Sequence, residues 1–162
     1  DGGFKGFELG PEGEGGKELS IRGGGSRNPS TAETVAQEMH FLQMNGREVY
    51  KFATRVMVSS ATAVLNECGK TIDEVDVYVP HQANKRIIDH AVGKLGVPHE
   101  RTVVNVDRYG NTSSGSIPLA LADARADGRL REGALVLMTG MGAGLTWGSA
   151  LLEWSAPNGR AA

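Results

Sequence analysis

The sequence predicts an α/β layered domain, and three observations carry the prediction. Apolar runs of strand length alternate with stretches whose apolar residues recur every three or four positions. Residues 134–139 (ALVLMT) form a near-continuous apolar run, the pattern of a strand covered on both faces. The last such run follows directly through the turn Gly140-Met141-Gly142-Ala143-Gly144, so the final two strands are expected to pair antiparallel. A chain of 162 residues, 40% of them hydrophobic, holds one domain with a sizeable core.

Ten of the 23 glycines fall in the first 25 residues. Residues 1–31 therefore read as a Gly-rich, partly irregular segment with short strand candidates at Phe7–Leu9 and Leu19–Arg22. Asn28-Pro29-Ser30 marks a turn, and Thr31–Gln43 reads as surface loop with a helical turn. The main domain is expected over 32–155, followed by a disordered tail, 156–162. Arg47–Glu67 is helical: Val49, Phe52, Ala53, Val56, Met57, Ala61 and Val64 make its inner face, while Arg47, Lys51 and Arg55 form a basic stripe outside. Cys68-Gly69 closes it.

Val75–Val79 is the next strand, then a helix over Asn84–Leu95 with Ile87, Ile88, Ala91, Val92 and Leu95 inward. Gly96 stops that helix and Pro98 prevents its restart. A strand is expected over Thr102–Val106. A helix over Ile117–Asp127 follows, with Pro118 in its first turn, where a missing N–H costs little. Strands at Ala134–Thr139 and Leu145–Trp154 complete the set.

Several classes are disfavoured by composition. A formal net charge of −2 argues against a general nucleic-acid binder. No apolar run approaches the roughly 20 residues of a membrane span, and the opening DGGFKGFELG lacks a basic-then-apolar signal pattern. One cysteine, Cys68, rules out an internal disulfide and a multi-cysteine metal site, and fits a reducing, cytoplasmic setting. No metal site is expected, since His40, His90 and His99 show no paired ligand spacing. A first residue other than Met reads as a piece cut from something longer, or a processed product.

Two polar side chains stand out. His81, in YVPHQAN, and Asn111, in RYGNTSS, each lie just past a predicted strand, thirty residues apart. Ligands in open α/β sheets bind at the carboxyl ends of strands. A single His there is most often a capping or packing residue, and an Asn in such a loop most often a turn former. Together, a neutral imidazole N–H and a carboxamide NH2 make a pair of donors suited to a carbonyl or thioester oxygen that gains negative charge. Asn84 is placed to cap the helix that begins there. The Gly-rich turn at 140–144 either is a plain hairpin or brings a backbone N–H close to a substrate oxygen; it precedes a strand and lacks the spacing of a phosphate-binding loop. Cys68 follows a helix C-terminus, whose dipole disfavours a thiolate, so a nucleophilic role is not expected. Arg47, Lys51, Arg55, Lys85, Arg86 and Lys94 make local basic clusters, either solvated faces or contacts for an anionic partner.

Taken together, PHQAN, GNTSSGS followed by Pro118, and the run GAGLTWGSAL give a chain that resembles, from about Gly6 to Trp154, the C-terminal half of β-ketoacyl-acyl-carrier-protein synthase III, of the thiolase-like superfamily. The resemblance implies a mixed sheet packed with helices, one half of an αβαβα layered fold. It implies an acyltransferase that condenses acyl-CoA with malonyl-acyl carrier protein to start fatty-acid chains, without a bound cofactor. His81 and Asn111 match the residues that hold the malonyl thioester oxygen. Ala143 falls where a backbone N–H serves the acyl oxyanion, a position that is usually Gly. Asn84 matches a pantetheine contact; Lys51, Arg86 and Lys94 match basic positions at the carrier-protein and CoA entrance; Tyr50 and Met141 line or flank the acyl pocket. The family's nucleophilic Cys lies in an N-terminal half with no counterpart here, so the isolated chain is expected to be inactive. Homodimerisation, or pairing with an N-terminal half, is expected to cover an exposed apolar face. The alternatives are a non-catalytic dimerisation or carrier-protein-binding module, or half of a secondary-metabolite acyltransferase.

Overall fold

In the computed structural model, which describes residues 2–155, the sheet runs in the order β1-β6-β5-β4. The expected tail, 156–162, lies outside the described residues. The strands are β1 (Gly3–Pro11), β2 (Leu19–Ser20), β3 (Gln43–Met44), β4 (Val77–Pro80), β5 (Leu135–Gly142) and β6 (Thr146–Glu153). The α-helices are α1 (Ala32–Ala36), α2 (Gly46–Glu67), α3 (Lys85–Leu95), α4 (Val106–Tyr109) and α5 (Ser116–Ala126). β4 and β5 are parallel and β5 and β6 antiparallel, so the sheet is mixed. β2 and β3 form a separate two-stranded ribbon.

Period-two alternation sorts the core into two layers. Tyr78, Leu135, Leu137 and Leu151 face α2 and α3, meeting Met57, Ala61, Val64, Ile88 and Ala91. Val77, Val79 and Val136 face the other way, against Ala120 and Ala124 of α5. Both faces of β4 and of the start of β5 are therefore buried, which is why 134–138 is apolar throughout. Every residue expected on the inner face of α2 is buried; on α3, Ile87, Ile88, Ala91 and Val92 are buried and Leu95 packs against the same core. Asn84 caps α3, its side chain accepting from the Ile87 N–H at 3.0 Å, and Gly96 ends it with φ 76°.

Two expectations are corrected. Thr102–Val106 is not a strand: Thr102 makes a single bridge to Tyr78, and Val106 already begins α4. The Gln82 side chain takes the Asn105 and Val106 N–H groups that a ladder would need. At the other end, β1 is nine residues long and part of the main sheet, well beyond the three expected. A Cβ on Gly6 would run into Cys68 Sγ, so this glycine lets the strand lie close against the end of α2.

α5 covers only the β4 side of its sheet face. On that face β1 presents Phe4, Phe7 and Leu9 at 58%, 51% and 73% exposure, with the two phenyl rings 4.7 Å apart. Half of one sheet face is thus apolar and uncovered, as expected of a layer that packs against more protein.

Candidate active site

β4 delivers His81 to the carboxyl edge of the sheet. The His81 N–H donates to Thr139 O of β5 at 2.7 Å, extending the parallel pairing past Pro80. Its imidazole is half-buried, and Nδ1 lies 2.6 Å from Ser116 Oγ. Burial pushes its pKa below the ordinary 6.5, so the ring is neutral at physiological pH.

Asn111 arrives from the other side. Gly110 takes φ 68° and ψ −165°, a conformation essentially closed to residues with a Cβ, and so turns the chain sharply at the end of α4. Asn111 Oδ1 accepts the Ser113 N–H at 3.0 Å. With the oxygen engaged, the amide NH2 is the free end of the side chain. α4 itself is tied to α5, because Asp123 accepts from Asn105 Nδ2 and from Arg108 Nη2, each at 2.6 Å.

Both side chains line one cavity of about 750 Å³. Asn84, Met141 and Ala143 line it too, with Leu42, Met44, Val49 and Trp147 supplying apolar wall. Ala143 sits at the β5–β6 tip, its carbonyl accepting from Thr146 Oγ1 at 3.1 Å. The site thus joins strand ends, a helix cap and a hairpin: a largely apolar channel with a few convergent polar groups.

Four expected residues lie outside the cavity wall. Tyr50, expected to line or flank the acyl pocket, packs against the core beside α3, with the Arg86 guanidinium 5.5 Å from its ring centroid. Lys51 pairs with Glu48 at 2.7 Å on the exposed face of α2, and Lys94 is exposed in the last turn of α3. Cys68 is half-buried and lines a separate hollow with Lys5, Lys70 and Glu74. Two residues were missed. Ser116 and Gln82 stood inside the quoted motifs, but nothing in the sequence says which serine of GNTSSGS reaches the imidazole, or that the glutamine faces inward. Among the described residues, no group of three His, Cys, Asp or Glu side chains could hold a metal ion, and no helix is long and apolar enough to cross a membrane.

His81 also sets a pH dependence. A histidine whose folded pKa is depressed binds its proton at lower pH in the folded chain than in the unfolded one. Its contribution to stability is complete above pH 6.5 and is lost as pH falls through the folded pKa. Between about pH 7 and about pH 5 the parent should lose more stability than the His81→Gln variant, read from urea midpoints. Equal losses would place the imidazole in solvent.

This fold and this cavity define a thiolase-like α/β half domain. The profile of the family described as "3-Oxoacyl-[acyl-carrier-protein (ACP)] synthase III C terminal" matches residues 65–154. The chain is 52% identical over 153 residues to the β-ketoacyl-[acyl-carrier-protein] synthase III of Desulfitobacterium hafniense strain DCB-2, covering 94% of this chain and 46% of that protein. Among solved structures, the synthase III of Thermus thermophilus aligns with a TM-score of 0.81 at 48% identity, covering 94% of this chain and 46% of that one. The priming β-ketosynthase of the R1128 polyketide biosynthetic pathway aligns with the same TM-score at 33% identity, covering 96% and 46%. The chain belongs to the β-ketoacyl-acyl-carrier-protein synthase III family, as its C-terminal part. It spans about half the length of the curated relatives it matches.

Proposed function

We propose that this chain is the half of a condensing enzyme that holds malonyl-acyl carrier protein while it loses CO2, the step that starts fatty-acid chains. The supporting observation is that His81 and Asn111 line one cavity, each with its ring Nδ1 or carbonyl oxygen engaged elsewhere. The malonyl carboxylate leaves as CO2, and its bonding pair moves onto the α-carbon to form an enolate. The enolate oxygen takes the two N–H donors, which strengthen as its charge grows. The carbanion then attacks an acyl thioester on a cysteine and expels the thiolate. That cysteine belongs to an N-terminal half, whose place is the uncovered face of Phe4, Phe7 and Leu9. Acyl-CoA is the acyl donor, and no cofactor takes part in this scheme. Lys51, Arg86 and Lys94 meet the phosphates of CoA and the acidic carrier protein, Asn84 the pantetheine arm, and Met141 and Tyr50 the acyl chain. The backbone N–H of Ala143 serves the acyl oxyanion. The complete enzyme is a homodimer working in the cytoplasm.

Without the cysteine half, the chain should take no label from radiolabelled acyl-CoA, since loss of the nucleophile from a unit of this kind removes most of its catalysis. A chimera in which it replaces the matching half of the D. hafniense enzyme should be labelled and should condense. Labelling of the isolated chain, or a folded chimera that takes label without releasing CO2 from malonyl-carrier protein, contradicts this reading. The similarity to a priming polyketide ketosynthase favours secondary-metabolite chain initiation as the second reading, separated from the first by the chimera's product.

A further inference from the structure

Ser116 opens α5 and is buried. Its Oγ has two hydrogen-bonding neighbours among the described residues: His81 Nδ1 at 2.6 Å and Gln82 N at 3.3 Å. The Gln82 N–H can only donate, so the hydroxyl oxygen accepts it. A hydroxyl has one proton of its own, and His81 Nδ1 is the lone pair available to receive it. In a neutral imidazole the nitrogen that accepts carries no proton, which leaves the proton on Nε2. The opposite arrangement, with Nδ1–H donating to Oγ, would leave a buried hydroxyl proton with no acceptor, a costly state for a group shut away from water.

We infer that Ser116 is a positioning residue that holds His81 in the tautomer with its proton on Nε2, the one neutral form that aims a donor into the cavity. The Gln82 N–H fixes which way the hydroxyl points, so the residue that follows the histidine helps set its proton. This deepens the proposed function and rests on it for its catalytic consequence; the tautomer itself is a property of the chain whatever reaction it serves. A wrong tautomer would present a lone pair to the enolate oxygen and repel it.

Proton–nitrogen correlation spectra of the isotope-labelled chain, at about pH 8 where imidazole is neutral, read the two nitrogens directly. The parent should show Nε2 protonated and Nδ1 bare. Ser116→Ala should raise the minor tautomer about five- to tenfold, and Ser116→Thr, which keeps the hydroxyl, should restore the parent pattern. A protonated Nδ1 in the parent, or a folded Ser116→Ala chain with the parent's tautomer ratio, overturns the inference. If Ser116→Ala does not fold, the parent and Ser116→Thr spectra decide. Decarboxylation by the chimera is read separately. A shifted tautomer with an unchanged rate removes the donor role of His81 and Ser116's part in catalysis, while a fallen rate supports both.

Discussion

Alanine in place of His81 lowers malonyl decarboxylation by the chimera about a hundred- to a thousandfold, the usual cost of removing one preorganised donor from an oxyanion site. Asn111 would then face the enolate alone. The apolar wall of Leu42, Met44, Val49 and Trp147 keeps the local dielectric low, so a missing donor is poorly replaced by solvent. The loss should appear in kcat, because the N–H donors bond the enolate more strongly than the thioester that precedes it. Asn111→Asp should act in the same direction with a further penalty, since a carboxylate repels the enolate where the amide attracted it. CO2 release at saturating malonyl-carrier protein measures both. A fall of less than about tenfold for His81→Ala, in a variant that still folds, would mean that the imidazole does not hold the reacting oxygen.

The sequence made the local part of this arrangement readable and hid the long-range part. Val75–Val79 followed by PHQAN placed His81 at a strand end, because apolar alternation and a helix cap three residues on are local signals. The glycine before Asn111 is a local signal of the same kind, since Gly110 makes the sharp turn there with φ 68°. By contrast TVVNV reads as a strand by composition, yet its ladder stops at the single bridge from Thr102 to Tyr78: Gln82 takes two of its N–H groups and Arg129 Nη1 donates to the Thr102 carbonyl. Such competition comes from residues more than twenty positions away and leaves no periodic trace. β1 was underestimated for the converse reason. Gly3, Gly6 and Gly10 weaken any local strand signal, while pairing with β6 along its whole length holds the segment extended. Tyr50 makes the same kind of long-range contact: its ring packs against the core with the Arg86 guanidinium 5.5 Å from its centroid, and nothing local to residue 50 announces that partner.

Leucine in place of Gln82 should destabilise the fold by about 3–5 kcal/mol, a large share of what a domain of this size possesses. The side chain is fully buried and bonds four backbone groups. Nε2 donates to the carbonyls of Pro80 and Val103 at 2.9 and 3.0 Å, and Oε1 accepts from Asn105 and Val106 N–H at 2.9 and 3.1 Å. Leucine matches the size and offers none of these bonds. Two N–H donors at the start of α4, that of buried Asn105 and that of half-buried Val106, would then lose their acceptor, at about 1–3 kcal/mol for a buried group. Glutamate should be worse still, since its carboxylate places a second oxygen, and a charge, against two carbonyl oxygens. Urea unfolding reads the effect as a lower midpoint with an unchanged slope. The consequence reaches the site, because the same four bonds fix the segment that leads to Gly110 and Asn111 relative to the strand that ends at His81. A variant that kept its stability to within about 1 kcal/mol would show that this amide does not join the two loops, and the His–Asn spacing would need another cause.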